Sequence, residues 1–84
     1  MDDDNEFQTC VRKINNMRKE NFLTYDDFII IYGFYKQSLF GDNNVLKPYW
    51  FYFHSMNKWN SWKENLGKSK NDAKKNYIEF VNIL

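Results

Sequence analysis

Apolar residues recur along the first part of the chain at the spacing of an amphipathic α-helix. They lie three, four, seven and ten residues after the first of them, which places them on one helical face: Phe7, Cys10, Val11, Ile14 and Met17. Acidic residues precede this stripe and basic residues follow it, an order that suits the helix dipole. The pattern predicts a first helix over about residues 3–17, with the apolar face in the core.

The second apolar segment starts at a capping signal. Thr24, with Asp27 three residues later, is typical of a helix N-terminus, and the residues that follow predict a helix over about 25–39. Its apolar residues do not fit one stripe, so the helix is expected either to be fully buried or to contact something beyond its own domain. Most of them lie on one face, which carries Phe28, Ile31, Tyr32, Tyr35 and Leu39. The others lie elsewhere on the helix: Ile29, Ile30 and Phe34.

Two features of this segment leave alternatives open. The β-branched residues Ile29–Ile31 would also suit a strand, although the capping signal before them and the polar pair Lys36-Gln37 after them favour a helix. Gly33 costs about 1 kcal/mol in mid-helix relative to alanine. Its small size would allow a neighbour or a ligand to approach closely.

The remaining residues predict a long loop and two more helices. Gly41 suits a helix C-terminus, and Pro48 closes a loop over residues 41–50. A third helix is expected to start within or just after the aromatic run 49–53 and to reach about Asn65, with these residues inward: Met56, Trp59, Trp62, Lys63 and Leu66. A fourth helix over about 70–83 follows a second capping signal and packs through Ala73, Tyr77, Phe80 and Leu84. The long loop is typical of a bundle in which consecutive helices run parallel.

Length and composition predict one domain spanning residues 1–84. Aromatic residues make up 20% of the chain, which supplies a rich core for so short a sequence. The single cysteine, Cys10, excludes an internal disulfide and suits a reducing compartment. The longest apolar run, 28–35, is far shorter than the roughly 20 residues of a membrane span. The acidic N-terminus has no feature of a signal peptide, so a cytoplasmic protein is expected.

Charge is distributed unevenly between the two parts of the chain. The net charge is only +1, but residues 1–30 carry seven acids and four bases, whereas residues 31–84 carry four acids and eight lysines. A dipolar molecule of this kind attracts an anion without being strongly basic.

The sequence offers little for catalysis. His54 has no second histidine or cysteine at a metal-ligand spacing, and Cys10 lies in an apolar stripe, where a buried thiol is inert. No paired carboxylates, P-loop or glycine-rich nucleotide motif occurs. We therefore expect no catalytic residue, no metal and no cofactor.

The sequence contains more residues that suit ligand binding than residues that suit catalysis. Tyr32, Tyr35 and Lys36 fall on nearly one face of the second helix, and Lys58 and Tyr77 belong to the third and fourth. If the helices converge, these side chains form a cationic, aromatic site for a phosphorylated purine. The plainer interpretation is that the tyrosines are core residues with hydrogen-bonded hydroxyls and the lysines are solvated.

Three blocks of sequence resemble the acyl-CoA-binding protein family. They are YGFYKQSLFGD at 32–42, KWNSW at 58–62 and GKSKNDAKKNYI at 67–78, and the resemblance extends from about Phe28 to the end. It implies a four-helix up-down-down-up bundle that binds, buffers and transports long-chain acyl-CoA thioesters without chemistry.

The resemblance also implies roles for individual residues. The adenine and the ribose 3′-phosphate would be held by Tyr32, Lys36, Lys58 and Tyr77, with Gly33 and Tyr35 belonging to the same block. The acyl chain would lie against apolar residues at the start of the second helix: Phe28, Ile29 and Ile30.

The sequence departs from the family pattern in three places. The family's basic residue late in the first helix corresponds to Asn15, with Arg12, Lys13 and Arg18 as the candidate substitutes. The following loop is about two residues longer and lacks the usual proline. His54 and Met56 stand where the family often has lysines, which should weaken the attraction of the polyanionic ligand.

Two other classes of function compete with an acyl-CoA carrier. Lysines beside tryptophans would suit nucleic acid, but the small net charge opposes this and we expect no nucleic-acid partner. The aromatic run 49–53 would suit an interaction module with an exposed patch. For the carrier, we expect a monomer whose further partners are, at most, a membrane touched transiently or acyl-CoA-using enzymes.

Overall fold

Four α-helices account for most of the chain. The computed structural model describes residues 2–84, in which α1 spans Asp2–Lys19, α2 Tyr25–Phe40, α3 Phe53–Lys63 and α4 Lys70–Asn82. Residues 2–84 contain no strand, which confirms the all-α prediction and the helical interpretation of α2. No helix in this part of the chain is long and apolar enough to cross a membrane.

Side-chain and glycine caps fix the helix ends where the sequence signals them. The Thr24 hydroxyl accepts a hydrogen bond of 3.1 Å from the Asp27 N–H at the start of α2. Ser69 does the same for the Asp72 N–H at the start of α4, at 3.0 Å. Gly41 ends α2 with φ 77°, a conformation that glycine adopts at no steric cost. Both predicted capping residues are therefore confirmed.

The first and last helices run parallel. The rings of Phe7, in the first half of α1, and Tyr77, midway along α4, lie 5.0 Å apart between centroids. Further along both, the Lys13 ammonium donates to the Val81 carbonyl oxygen at 3.1 Å. The second contact lies further along both helices than the first, so α4 runs in the same direction as α1.

The second helix runs against the first. The Phe7 ring, early in α1, stacks 6.2 Å from that of Tyr35, late in α2. The Arg18 guanidinium, late in α1, lies 4.8 Å from the ring centroid of Phe28, early in α2. These pairs place α2 antiparallel to α1, and hence antiparallel to α4.

The third helix crosses the second at very close range and runs parallel to it. The Ser61 hydroxyl donates to the Ile29 carbonyl oxygen at 2.6 Å, and an added Cβ on Gly33 would collide with the backbone of Ser61. Earlier in both helices, Asn57 Nδ2 donates to the Tyr25 hydroxyl at 3.0 Å. With α1 and α4 in one direction and α2 and α3 in the other, the bundle is up-down-down-up, as the resemblance implied.

The long connection between the parallel helices is anchored at both sides. Asn43 is buried, donates to the Trp59 carbonyl oxygen at 3.2 Å and accepts from the Val45 N–H at 2.9 Å. The Trp59 indole donates in turn to the Val45 carbonyl oxygen at 2.8 Å. The predicted loop is thus present, over residues 41–52, and held against α3.

The predicted inner face of α3 is only partly correct. Trp62 is buried, but Lys63 is exposed and Leu66 is 59% exposed. Leu66 lies beyond the end of the helix at Lys63, so helical spacing does not carry it into the core. Ser61 and Asn65 are buried instead, because the close crossing with α2 admits only small or hydrogen-bonding side chains there.

A polar junction around the buried Gln37 joins the end of α2 to the α3–α4 turn. Gln37 is completely buried, and its amide donates to Asp42 Oδ1 at 2.9 Å and to the Lys68 carbonyl oxygen at 2.8 Å. The Gly67 N–H donates to the same Asp42 oxygen at 2.8 Å. The hydrogen bond from Gly67 and, to a smaller extent, that from Gln37 hold the pKa of the Asp42 carboxyl below its usual value.

The close crossing of α2 and α3 predicts that Gly33→Ala destabilises the protein. Alanine should favour the helix by about 1 kcal/mol, but its methyl group would force apart two backbones, which costs about 1–3 kcal/mol. We expect a lower free energy of unfolding in urea. Asn16→Ala, on an exposed part of α1, is the control and should be neutral or stabilising; a gain at both positions would contradict the close crossing.

The Asp42 junction predicts a pH-dependent stability difference between the protein and Asp42→Asn. Because the folded-state pKa is depressed, the stabilising contribution is complete above the unfolded pKa of about 4 and disappears as the pH falls through the folded value. The wild type should exceed the variant in unfolding free energy at pH 7, and the difference should shrink towards pH 3. A difference that stays constant over this range would show that the carboxylate charge is unimportant.

Candidate ligand-binding site

Most of the residues singled out in the sequence converge on one cavity. It has a volume of about 300 Å³ and is formed by all four helices. Six of its lining residues are predicted site residues: Phe28, Tyr32, Tyr35, Lys36, Lys58 and Tyr77. The others come from α1 and from the middle of α2: Val11, Ile14, Asn15, Arg18 and Ile31.

Two lysines from different helices meet over one aromatic ring in this cavity. The Lys36 ammonium lies 5.7 Å and the Lys58 ammonium 5.0 Å from the ring centroid of Tyr32. The Lys36 ammonium also lies 4.9 Å from the centroid of Phe40 and 5.7 Å from that of Trp62. Both cations are therefore held beside π-faces at the same opening, where they create a positive potential for an anionic group.

The close approach of α2 and α3 produces this pairing of charges. Lys36 lies one turn after Gly33 on α2, and Lys58 lies one turn before Ser61 on α3. Because Gly33 and Ser61 are in contact, the two lysines extend from neighbouring backbones. Gly33 itself does not line the cavity, so the structure places it at the crossing beneath the site.

Tyrosine rings form the floor. Tyr77 is 3% exposed, and its ring centroid lies 5.9 Å from that of Tyr35. Burial raises the pKa of the Tyr77 hydroxyl above its usual value, with a smaller contribution from Cys10, and burial alone raises the pKa of Tyr32. Both hydroxyls therefore remain protonated at neutral pH and can donate hydrogen bonds to a ligand.

The first helix contributes one cation to this cavity. Arg18 lines it with its guanidinium against Phe28, and Asn15 is one turn away. Lys13 instead donates to the Val81 carbonyl oxygen, and Arg12 lines none of the clefts described in this section and donates to Thr9 at 3.3 Å. Of the three substitutes considered from the sequence, Arg18 is thus the one that reaches the cavity.

The predicted acyl-chain residues are divided between two clefts. Phe28 lines the cationic cavity, whereas Ile29 and Ile30 line a wider cleft of about 830 Å³ between α2 and α3. Consecutive residues of a helix point about 100° apart, so three in a row cannot share one narrow groove. The structure does not bring these three side chains together, and their contact with an acyl chain stays a prediction.

The wider cleft is larger but does not suit an anion. It contains two carboxylates, Asp26 and Glu64, and one lysine, Lys68. The cationic cavity contains Arg18, Lys36 and Lys58 and no acid. Charge rather than volume therefore identifies the smaller cavity as the phosphate-binding candidate.

A third cavity borders both clefts. It has a volume of about 330 Å³ and shares Arg18 and Phe28 with the cationic cavity and Tyr25 with the wider cleft. Leu23 and His54 also line it. Phe28 thus lies at the boundary between the cationic cavity and the third cavity.

Cys10 and His54 do not line the cationic cavity. Cys10 is buried, and desolvation raises the pKa of its thiol. His54 is exposed and its Nδ1 lies 2.9 Å from the Tyr25 hydroxyl. Within residues 2–84 no cluster of histidine, cysteine and acidic residues is suited to hold a metal ion.

Comparison with known proteins gives consistent results. A family model described as acyl CoA binding protein matches residues 4–81. Acyl-CoA-binding protein 2 of Saccharomyces pastorianus is 42% identical over 59 residues, which are 70% of this chain and 68% of that protein. The acyl-CoA-binding protein homolog of Drosophila melanogaster is 32% identical over 76 residues, 90% of this chain and 86% of that one.

A solved structure extends the similarity to the fold. The crystal structure of Oryza sativa acyl-CoA-binding protein 2 matches with a TM-score of 0.87 and 30% identity. The match covers 98% of this chain and 89% of that chain. The similarity therefore includes α1, whose sequence alone was recognisable only as an amphipathic helix.

Proposed function

The chain belongs to the acyl-CoA-binding protein family, and on this premise we propose that it binds, buffers and transports long-chain acyl-CoA thioesters. One observation carries the proposal: Lys36 and Lys58 converge on the ring of Tyr32 at a cavity that also holds Tyr77 and Phe28. Phosphate recognition and apolar contact are thereby available within one site. No step of this function requires a catalytic residue or a cofactor.

The nucleotide end of the ligand binds at the cationic opening. Lys36 and Lys58 hold the ribose 3′-phosphate through charge-assisted hydrogen bonds, each contributing about 1.5–3 kcal/mol. Tyr32 and Tyr77 contact the adenine and its ribose, with Tyr35 beneath them. Gly33 contributes by letting the two lysine-bearing helices approach each other.

The acyl chain follows the apolar surface that begins at Phe28. It passes from the cationic cavity into the third cavity beside Leu23 and His54, and a long chain reaches the wider cleft that contains Ile29 and Ile30. Each methylene removed from water contributes about 0.8 kcal/mol, so about 14 carbons supply at most about 10 kcal/mol. Together with the phosphate contacts, this supports nanomolar affinity.

The proposed carrier acts as a cytoplasmic monomer. Its buried free thiol, Cys10, is compatible with a reducing compartment. Two of the lysines that would suit nucleic acid are already engaged, since Lys74 is paired with Asp4 at 2.6 Å and Lys58 lies at the cationic cavity. We therefore propose no nucleic-acid partner.

Calorimetric titration with palmitoyl-CoA, free CoA and palmitate tests the function directly. We expect palmitoyl-CoA to bind far more tightly than either fragment, because only the thioester occupies both the cationic and the apolar parts. Absence of heat with palmitoyl-CoA would end the proposal.

Lys36→Ala is expected to weaken palmitoyl-CoA binding by roughly 2 kcal/mol, about 30-fold in Kd. The affinity for free CoA should fall by a similar amount, since the lysine contacts the nucleotide end. Lys75→Ala, on the exposed side of α4, is the matched control and should bind as the wild type does. Equal affinities for all three proteins, with unchanged helical circular dichroism, would remove Lys36 from the site.

Substitutions of two apolar residues test where the acyl path begins and where it ends. Phe28→Ala should weaken binding of every acyl-CoA from about eight carbons upward by a few kcal/mol, with little effect on free CoA. Ile30→Ser should weaken only the longer chains, because Ile30 lies in the wider cleft. Titration across acyl lengths checks both, and an Ile30 variant that behaves as the wild type with every chain would place the tail elsewhere.

A further inference from the structure

The loop before α3 carries a large exposed aromatic patch that the proposed ligand site does not use. We call residues 45–53 the aromatic loop. Its most exposed side chains include Leu46 at 91%, Trp50 at 75%, Tyr49 at 72% and Phe53 at 70%. A contiguous exposed apolar surface of this kind is typical of a site that binds another protein or a membrane.

The aromatic loop is held in one shape rather than left to fold on contact. The rings of Tyr49 and Phe51 are stacked, with centroids 5.7 Å apart and planes 2° apart, and the Tyr52 ring lies 4.6 Å from that of Phe51. At its beginning, the Trp59 indole donates to the Val45 carbonyl oxygen. Such a preformed patch loses little conformational freedom when it binds.

The charge of the loop points to an anionic partner. Residues 45–53 contain Lys47 and no aspartate or glutamate, and the ammonium groups of Lys47 and Lys63 both lie within 6 Å of the Trp59 ring centroid, at 5.8 and 5.6 Å. Lysine beside exposed Trp, Tyr and Phe is the combination that favours the interface of an anionic membrane: the rings sit at the headgroup level and the ammonium groups contact the phosphates.

The aromatic loop also lies next to the proposed acyl path. Phe53 is the first residue of α3, and His54 after it stacks on Phe28 with centroids 6.2 Å apart. His54 lines the same cavity as Phe28. A surface that contacts the aromatic loop is thus close to the place where the apolar ligand tail is expected.

We propose that the aromatic loop docks the protein on the surface of membranes that contain anionic phospholipid. Its rings enter the headgroup region, while Lys47 and Lys63, which flank the Trp59 ring, contact lipid phosphates. This docking stands on the exposure and charge of the loop and does not require acyl-CoA binding. Where both hold, the apolar path opens beside the bilayer, so that a tail can pass between protein and lipid without crossing water.

Flotation with vesicles of phosphatidylcholine, with or without about 30% phosphatidylserine, tests the docking on the full chain. We expect the protein to float with the anionic vesicles, and roughly tenfold less protein to be bound when salt is raised from about 0.1 to about 1 M. The double variant Trp50→Ser/Phe51→Ser should lose roughly nine tenths of this binding. The control Ile83→Ser removes another exposed apolar residue, 79% exposed, and should float as the wild type does.

Fluorescence supplies a second readout that does not depend on solubility. Vesicles with brominated acyl chains should quench the tryptophan emission of the wild type, because Trp50 inserts whereas Trp62 is buried in the protein. Trp50→Phe should keep most of the flotation, since the ring stays apolar, but lose most of the quenching.

Three results would overturn the proposal. The first is failure of the wild type to float with either type of vesicle. The second is equal flotation of the double variant and the wild type. The third is a dimer, seen by sedimentation in the absence of lipid, that the double variant loses, since the patch would then bind a second copy of the chain. Palmitoyl-CoA titration of the double variant keeps the two proposals distinct: retained affinity without flotation assigns the loop to docking alone.

Discussion

The contact of α2 with α3 at Gly33 and Ser61 governs the geometry of the site. A serine hydroxyl bonded to a backbone carbonyl oxygen, and a glycine without a Cβ, let two parallel helices lie closer than larger side chains allow. Lys36 and Lys58 extend from this crossing, one turn away on each side. Both ammonium groups lie within 6 Å of the Tyr32 ring centroid, and the π-electrons of this ring offset part of the cost of placing two like charges at one cavity.

The sequence predicts the helices well, because their local signals and their tertiary environment agree. The capping residues Thr24 and Ser69 act where the pattern places them, and the apolar stripe of α1 is buried. Leu66 is the exception. Periodicity assigns it to the core, but the helix has ended before it, and only the three-dimensional position of the neighbouring turn determines its exposure.

The residues that line the cationic cavity were predictable as a set, but the shape of the cavity was not. Tyr32, Tyr35, Lys36, Lys58 and Tyr77 line one cavity as expected. Their meeting depends on helix crossings that no single segment encodes. The division of Phe28 from Ile29 and Ile30 follows from helical geometry, yet which face meets which cleft is decided by packing. Arg18 is selected over Lys13 for a similar reason, since Lys13 is occupied by the Val81 carbonyl oxygen.

The pairing of the first helix with the last has a consequence for synthesis of the protein. Asp4 bonds Lys74, seventy positions further along, and Phe7 packs on Tyr77. A chain that is synthesised from its N-terminus therefore completes α1 long before α4 exists. Until α4 emerges, the apolar stripe of α1 can pack only against α2, as Phe7 does on Tyr35. The core then closes as one late event between the two ends of the chain.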